Sequence, residues 1–317
     1  MNETYDEITM KEAFGDVLCE LAEENCSIYA LSADTENSMG YYKMAQKFRD
    51  RVINVGICEQ NMALAAVGIA ACGGKVYIAT YAPFASMRIL EQVRTYIAYG
   101  NLDVKIVSAM GGLSGGEEGV THQGLEDISL LRGIPNMVVI VAADSCATQA
   151  ITKKISDYIG PVYLRLARHK VHTIFKDYNF EIGKANVIKK DGLDGVIICN
   201  GPILYRVIKV VECLEKMNIN VSLIEMPCVK PIDVDTIVLW AKKVGKIVTI
   251  EENNRLGGLG GAVAEVVTDN FPIPILRIGI EDVYAESGDY EELLDKYGFS
   301  VDNLVKKISK FINKGNA

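Results

Sequence analysis

Short, almost continuously apolar segments alternate with segments of helical periodicity, and this alternation narrows the possible folds more than any other feature. Apolar runs predict strands in the first half of the chain at 28–32, 51–55, 76–80, 104–109, 137–141 and 162–166. Apolar residues recur at helical intervals at 61–72 and 86–99, and Thr9-x-x-Glu12 has the spacing of a capping box. Continuous apolar runs are typical of strands covered on both faces. The pattern therefore predicts a parallel α/β sheet with right-handed crossovers.

The same alternation stops and restarts in the second half. From 169 to about 194 the sequence is polar and has no strong period. Strands are then predicted at 196–199, 221–224, 247–250 and 275–278, and helices near 203–217, 234–243, 261–270 and 301–312. We therefore predict two parallel-sheet α/β domains, at 1–170 and 191–317, joined by a linker at 171–190.

Composition excludes several classes of protein. The 317 residues include 33 Lys+Arg and 41 Asp+Glu, a net charge of −8, which argues against nucleic acid as a partner. The fractions of hydrophobic (49%) and charged (23%) residues are those of a packed protein. No apolar window is long enough to span a membrane, and the acidic N-terminus does not resemble a signal peptide.

The eight cysteines contain no Cys-x-x-Cys pair, and most lie in apolar runs. We expect them to be small buried side chains in a reducing, cytoplasmic compartment rather than disulfides or zinc ligands. The chain has three histidines, and no metal-ligating residue is predicted.

A glycine-rich loop (GGLSGGEEG, 111–119) follows the strand predicted at 104–109 and leads to Thr121-His122-Gln123. Ligands of open parallel sheets bind beyond the carboxyl ends of strands. Glu117, Glu118 and His122 could therefore form an acid/base and substrate-binding cluster. The alternative is a mobile surface loop with solvated charges. The loop lacks the Gly-Lys-Ser/Thr ending of a P-loop and the spacing of a dinucleotide-binding turn.

Three further side chains follow predicted strands of the same half. Glu59 lies where a helix begins, so its carboxylate could be functional or could simply favour the helix dipole. Tyr81 and Phe84 come just past a strand end, where aromatic rings either bind a ring-containing ligand or belong to the core.

Other candidates also have two interpretations. Arg165 and Arg168 end a strand at the same edge and could bind phosphate or be solvated. The glycines at 257–261 could hold an anion or allow close packing of a helix. His169-x-x-His172 could be a metal pair, but it has no third ligand and lies beside the predicted linker.

Four motifs in this order carry a resemblance to one family: VGICEQN (55–61), TYAPF (80–84), GEEGVTHQ (116–123) and ENNRLGGLGG (252–261). Together they resemble the C-terminal half of a thiamine-diphosphate-dependent transketolase. The resemblance covers the pyrimidine-binding domain and the C-terminal domain, as in transketolases that are split into two polypeptides. It extends over essentially the whole chain.

The resemblance implies a cofactor-binding role for four residues. Glu59 matches the catalytic glutamate, which hydrogen-bonds a ring nitrogen of the aminopyrimidine and so favours the imino tautomer that removes the thiazolium proton. Phe84 matches the aromatic residue that stacks on this ring, and Tyr81 matches another residue of the pocket. Met87 stands where many members have a third aromatic residue.

The resemblance also implies a substrate site. His122 matches the histidine that contacts the reacting hydroxyl and carbonyl oxygens of the sugar, and Arg168 matches the arginine that binds the substrate phosphate. Asp34 and Ser38 align loosely with an acidic residue and a phosphate-binding serine.

Two substrate-site residues depart from the family pattern. Glu118 replaces an aspartate that reads a donor hydroxyl, and Met110 replaces a phosphate-binding histidine twelve residues before His122. A thioether carries no charge for an anion, so we expect an altered preference for donor and acceptor sugars.

A Gly-Asp-Gly motif, which holds Mg²⁺ and the diphosphate in this family, is absent from the sequence. The resemblance therefore implies a partner subunit that carries this motif, and a heterotetramer of two plus two chains. We expect transfer of a two-carbon ketol unit between phosphorylated or otherwise anionic sugars, such as pentose phosphates, only when the partner is present.

Three alternatives remain at this stage. The chain could be a β-type subunit of a 2-oxoacid dehydrogenase, which has the same pair of domains but not the Thr-His-Gln motif. It could resemble deoxyxylulose-phosphate synthase, which is normally one long chain. It could also be a non-catalytic transketolase-like binding protein, although Glu59, Phe84 and His122 are all intact.

Overall fold

The computed structural model describes residues 4–314, which form two sheets covered by helices. The strands are β1 Ile28–Ser32, β2 Val52–Asn54, β3 Lys75–Tyr81, β4 Val104–Ala109, β5 Val138–Val141, β6 Val162–Arg165, β7 Asn186–Lys189, β8 Gly195–Cys199, β9 Val221–Glu225, β10 Cys228–Lys230, β11 Ile247–Asn254 and β12 Ile275–Ile280. The first sheet has the order β10-β5-β6-β4-β3-β1-β2, and the second has the order β12-β11-β8-β9-β7.

All pairs are parallel except those of two edge strands, β10 with β5 and β7 with β9. This confirms the predicted fold class of two parallel-sheet α/β domains. The strands β4, β5 and β6 are buried along their whole length, as expected for nearly continuous apolar runs.

The helices lie on both faces of each sheet. They are α1 Met10–Glu24, α2 Tyr42–Lys47, α3 Glu59–Ala71, α4 Leu90–Gln92, α5 Asp127–Arg132, α6 Ser145–Asp157, α7 Leu204–Lys216, α8 Val234–Val244, α9 Leu259–Asn270, α10 Tyr290–Leu294 and α11 Val301–Asn313. Wider π-helical turns at Phe84–Arg88 and Val93–Ala98 flank α4, within the helix predicted at 86–99. No helix within residues 4–314 combines the length and apolar character needed to cross a bilayer.

The first helix begins as its sequence predicts. The Thr9 side chain accepts a hydrogen bond from the Glu12 N–H, and the Glu12 carboxylate accepts one from the Thr9 N–H at 2.7 Å. The buried face of α1, with Phe14 and Leu18, packs on one side of the first sheet together with α6. Helix α3 packs on the opposite side through Met62 and Ala66. The capping box therefore determines the residue at which α1 begins.

The two antiparallel edge strands were not predicted. Strand β7 lies at the end of the region predicted to be a linker, and β10 leaves the second half of the chain to pair with β5 in the first sheet. Lys230 in β10 donates hydrogen bonds to the carbonyl oxygens of Arg132 and Ile134. Such short edge strands contain too few apolar residues to give a periodic signal.

The prediction that the cysteines are buried holds for two of the eight. Cys199 and Cys228 are buried, whereas Cys26, Cys58 and Cys72 are exposed and the others are intermediate. The prediction was wrong for the exposed three because Cys58 and Cys72 flank the two ends of α3, and Cys26 lies in the turn between α1 and β1. All eight are free thiols.

A buried carboxyl group connects the segment between the domains to the second sheet. Glu225 ends β9 and accepts hydrogen bonds from the Tyr178 hydroxyl at 3.0 Å and from Asn186 Nδ2 at 2.9 Å. Burial raises the pKa of Glu225 to about 7, although the two hydrogen bonds act in the opposite direction. Its proton is therefore held more tightly in the folded chain than in the unfolded one.

We expect Glu225→Gln to change how stability depends on pH. Between about pH 4.5 and 7, the folded Glu225 keeps a proton that the unfolded chain releases, so stability falls as pH rises. The variant lacks this titration, so its stability relative to wild type should increase across this window by at most about 1.4 kcal/mol per pH unit. Urea unfolding at several pH values measures the difference. The exposed Glu212→Gln should follow wild type, and equal slopes for wild type and Glu225→Gln would contradict the assignment.

Candidate active site

The candidate side chains of the first domain meet at the carboxyl-terminal edge of its sheet. Glu59 is the first residue of α3, Tyr81 ends β3, and Phe84 begins the π-helical turn that follows. His122 lies beyond β4, in the segment that follows the glycine-rich loop. Parallel strands place their carboxyl ends at one edge, which brings residues that are distant in sequence together.

Glu59 lies in a buried position beside an aromatic ring. Its side chain is only 5% exposed, and its Oε1 lies 2.6 Å from Nη1 of Arg88. The Arg88 guanidinium in turn stacks over the Phe84 ring, 3.9 Å from the ring centroid. Cys58 is the N-cap of α3, so the Glu59 carboxylate accepts no capping hydrogen bond, although it lies in the first turn, where the helix dipole favours a negative charge.

Three rings surround the space next to Glu59. The centroid of the His122 ring lies 5.6 Å from that of Tyr81 and 5.2 Å from that of Phe84, to which it is nearly perpendicular. The Tyr81 and Phe84 rings are 5.7 Å apart. Met87 follows on the same turn as Phe84 and is half exposed. The structure therefore places Tyr81, Phe84 and His122 in contact with one another, and Arg88 connects Phe84 to Glu59.

The glycine-rich loop is packed rather than solvated. It forms the 3-10 helix Gly112–Glu118, in which residues 112–116 are buried. Gly116 and Gly119 have positive φ angles of 52° and 72°, which glycine adopts without strain. The alternative interpretation of a surface loop is therefore wrong for residues 112–116, whereas the charged residues Glu117 and Glu118 are exposed, as that alternative expected.

Glu118, at the end of this loop, is paired with two neighbours. Its Oε1 lies 2.5 Å from Nη1 of Arg168, and its Oε2 lies 3.6 Å from Nε2 of His122. The other imidazole nitrogen, Nδ1, lies 2.9 Å from the Thr121 hydroxyl. Contacts at both nitrogens therefore hold the His122 ring.

Lys11 is a candidate that sequence reasoning missed. Burial lowers the pKa of Lys11, and the positive charge of nearby Arg168 lowers it further, whereas Glu118 opposes this shift. Lys11 lies in the first turn of α1 and precedes Arg168 by most of the first domain. Arg88 was also missed, because its contact with Glu59 joins residues 29 positions apart. Neither the Arg88–Glu59 ion pair nor the electrostatic effect of Arg168 on Lys11 leaves a local signal in the sequence.

The remaining predicted substrate residues have partners of their own. Asp34 has a positive φ of 65°, and its N–H donates to Oδ1 of Asn54 at 3.2 Å. The Ser38 hydroxyl donates to the carbonyl oxygen of Thr35. Met110 is 3% exposed and belongs to the hydrophobic core of the first domain. The Met110 side chain therefore packs among apolar neighbours, although the residue directly precedes the glycine-rich loop.

The structure corrects two hypotheses about anion sites. Arg165 is buried, with its Nε 3.1 Å from Oδ2 of Asp127, and it donates to the carbonyl oxygens of Gly124 and Glu252. It is therefore a packed internal cation and not a solvated phosphate ligand. The glycine-rich start of α9 already receives a carboxylate, because Glu251 accepts from two N–H groups there.

The hypothesis of a histidine metal pair also fails. The His172 ring stacks between Tyr5 and Tyr205, with centroids 4.1 and 3.7 Å away. In the part of the chain that the structure describes, no three side chains of His, Cys, Asp or Glu are grouped as metal ligands.

Two family models match the chain in consecutive segments. The model described as the transketolase pyrimidine binding domain matches residues 6–173. The model described as the transketolase C-terminal domain matches residues 183–304. Each segment contains one of the two sheets, apart from β10, which the second segment contributes to the first sheet.

Individual relatives match over almost their whole length. A protein of Methanocaldococcus jannaschii, provisionally named a transketolase C-terminal section, is 38% identical over 96% of each chain. One of the subunits of the apulose-4-phosphate transketolase of Phocaeicola vulgatus is 34% identical, over 97% of this chain and 98% of that one. A solved structure described as a split gene transketolase in an inactive beta4 tetramer has a TM-score of 0.88 at 37% identity, and the match covers 97% of this chain and 99% of that chain.

We expect Arg88→Ala to destabilise the chain by about 1 kcal/mol, because it leaves the buried Glu59 carboxylate without its ionic partner. The Arg88 side chain is 45% exposed, so solvent screening keeps the effect small. Urea unfolding measures the difference. Arg94→Ala removes an exposed arginine from the same helical region and should change stability little. Equal costs for the two variants would show that the ion pair does not stabilise the fold.

Proposed function

Because the chain belongs to the transketolase family, we propose that it is the pyrimidine-binding and C-terminal subunit of a split, thiamine-diphosphate-dependent transketolase. Together with a partner subunit, it transfers a two-carbon ketol unit from a ketose to an aldose. The observation that carries this proposal is the meeting of Glu59, Phe84 and His122 at one sheet edge, where a buried carboxylate, an aromatic face and an imidazole are neighbours.

The residues present fit the aminopyrimidine of thiamine diphosphate. This ring needs a flat apolar surface and a carboxylate that is shielded from water, and Phe84 and Glu59 supply them. The contacts that Arg88 makes support this fit, because its planar, nitrogen-rich guanidinium stacks on Phe84 and pairs with Glu59. Tyr81 and Met87 would line the same pocket. The bound cofactor supplies the acidic carbon and the electron sink that ketol transfer needs.

Each side chain then has a defined task. Glu59 holds a hydrogen bond to a ring nitrogen of the cofactor, with Arg88 displaced from its present position over Phe84. His122 exchanges a proton through Nε2 with a hydroxyl or carbonyl oxygen of the sugar. Glu118 stabilises the charged imidazole, because its carboxylate lies 3.6 Å from that nitrogen.

The anionic end of the sugar binds at Lys11 and Arg168 in this proposal. The two cations are close enough for the charge of Arg168 to lower the pKa of Lys11, and such a pair favours an anion between them. The Oε1 atom of Glu118 contacts Arg168 and so competes for this cation. Asp34 and Ser38, in the loop after β1, remain proposed substrate residues, and the buried Met110 leaves the anion to be bound by the cations alone.

A partner subunit supplies the Mg²⁺ and diphosphate site. Large apolar side chains are exposed near Glu59 in sequence, namely Ile57 at 78% and Leu64 at 44%. Such exposed apolar residues are typical of interfaces between subunits. The related split gene transketolase is described as inactive when it forms a beta4 tetramer. This supports the proposal that activity requires a heterotetramer of two plus two chains.

Reconstitution tests the proposal directly. The chain is mixed with a subunit that carries Gly-Asp-Gly, with thiamine diphosphate and with Mg²⁺, and ketol transfer is followed over a panel of sugars. We expect transfer only with both chains present. Decarboxylation of 2-oxoacids without ketol transfer would instead favour a 2-oxoacid dehydrogenase subunit, and cofactor binding with neither reaction would favour a non-catalytic protein.

We expect Glu59→Gln to lower kcat of the reconstituted enzyme by about 100-fold or more, because the amide cannot take part in the same proton transfer. Affinity for thiamine diphosphate should change much less, since the shape of the side chain is kept. Glu91→Gln, which changes an exposed glutamate of α4, is the control. A Glu59→Gln enzyme with wild-type kcat would exclude the proposed role of Glu59.

We expect Arg168→Gln and Lys11→Met each to raise KM for a phosphorylated aldose about tenfold or more, with little effect on an unphosphorylated one. Loss of one charge-assisted contact costs about 1.5–3 kcal/mol, which is of this size. Initial rates over matched pairs of sugars measure the ratio. Lys154→Met, an exposed lysine on α6, should leave KM unchanged. Equal changes in KM for both classes of sugar would place the anion elsewhere.

A further inference from the structure

The second domain holds the glycine-rich loop of the first domain through a buried glutamate. Glu252, in β11, is buried, and its Oε1 accepts a hydrogen bond from the Leu113 N–H at 2.6 Å. Its Oε2 accepts one from the Tyr290 hydroxyl at 2.7 Å. Both carboxylate oxygens are therefore occupied, one by the loop and one by the helix α10 of the second domain.

A second contact joins the same two regions at the other end of the loop. The Gly288 N–H donates to the carbonyl oxygen of Gly116 at 3.3 Å, and Nε2 of Gln123 donates to the carbonyl oxygen of Glu286 at 2.9 Å. Gln123 directly follows His122. Residues 286–290 of the second domain thus contact the loop both before and after Glu118.

The loop backbone lies close to the second domain at its contact with Glu252. Gly112 has a φ of 64°, and a Cβ atom there would lie 2.2 Å from Oε1 of Glu252. At the far end, a Cβ on Gly119 would lie 2.4 Å from the Ser287 hydroxyl. These approaches need glycine, and they fix the backbone against the second domain at two places.

We propose that Glu252 and residues 286–290 are positioning elements for Glu118 and His122, so that the second domain sets the geometry of a site built on the first. A buried Glu252 carboxylate without hydrogen-bond partners would destabilise the fold. Its hydrogen bonds with Leu113 and Tyr290 therefore hold the loop at a defined position against α10. The role in catalysis rests on the proposed function, whereas the role in fixing the loop does not.

The matched control is the neighbouring residue. Glu251 is also buried and also accepts two hydrogen bonds, from the N–H groups of Leu259 and Gly260 at the start of α9. Within residues 4–314, Glu251 makes no hydrogen bond to the glycine-rich loop. Glu251→Ala and Glu252→Ala therefore remove the same chemical group from the same strand, but only Glu252→Ala unfastens the loop.

The first readout is amide hydrogen exchange, measured on the full chain without partner or cofactor. In Glu252→Ala, exchange over residues 111–124 should accelerate about tenfold, as expected from the loss of one buried hydrogen bond. In Glu251→Ala, the acceleration should be confined to the start of α9. Unchanged loop exchange in a folded Glu252→Ala would overturn the proposal. If this variant does not fold, Tyr290→Phe and Glu252→Gln replace it, with a smaller acceleration at the same residues.

The second readout is the activity of the reconstituted enzyme. Glu252→Ala should lower kcat about 10- to 100-fold, because a displacement of the reacting groups by about 1 Å costs this much. Affinity for thiamine diphosphate should stay within about twofold, and Glu252→Gln should recover most of kcat. Full activity of a Glu252→Ala enzyme whose loop exchanges faster would refute the positioning role while leaving the proposed function intact. An inactive wild-type enzyme would refute the catalytic role together with the proposed function, although hydrogen exchange would still decide whether Glu252 fixes the loop.

Discussion

The buried guanidinium of Arg165 joins the parts of the chain that build the candidate site. It ends β6, pairs with Asp127 at 3.1 Å, and donates to the carbonyl oxygens of Gly124 and Glu252. An unpaired cation in this buried position would destabilise the fold by several kcal/mol. The fold is therefore stable only when the partners of Arg165 lie within hydrogen-bonding distance of it. One of them follows the glycine-rich loop and another belongs to the second domain. The contacts of the Arg165 guanidinium therefore connect the sheet edge, the segment after the loop and the second domain.

The architecture could be predicted from sequence wherever a strand is buried on both faces. Strands such as β5 and β8 are continuous apolar runs, and the Thr9–Glu12 capping box marked the start of α1 correctly. The edge strands β7 and β10 could not be predicted, because each is short and is held by backbone pairing to a distant strand. Pairing of this kind depends on tertiary contacts that leave no period in the sequence.

The candidate site shows the same division. The meeting of Glu59, Tyr81, Phe84 and His122 could be predicted, because each follows the carboxyl end of a parallel strand and lies in a motif that resembles one family. The contact of Arg88 with Glu59 and the electrostatic effect of Arg168 on Lys11 could not. Both depend on how helices pack against the sheet edge. Arg165 was interpreted as a phosphate-binding or solvated residue, because the end of a strand gives no sign in the sequence that a second domain will cover it.

The carboxylates of the site are already paired with arginines of the same chain, and these ion pairs affect how strongly the site can bind a ligand. Glu59 is matched by Arg88, and Glu118 is matched by Arg168. A ligand for either half of the site must replace an ion pair rather than fill a vacant charge, so part of the gain from its own charge is offset. Shape and desolvation then add to the binding energy. A partner subunit that covers the exposed apolar residues around α3 would supply both, because it would exclude water from the pocket and strengthen every remaining electrostatic contact in it. The proposed partner would therefore strengthen ligand binding at these ion pairs, in addition to contributing the metal-binding motif that this sequence lacks.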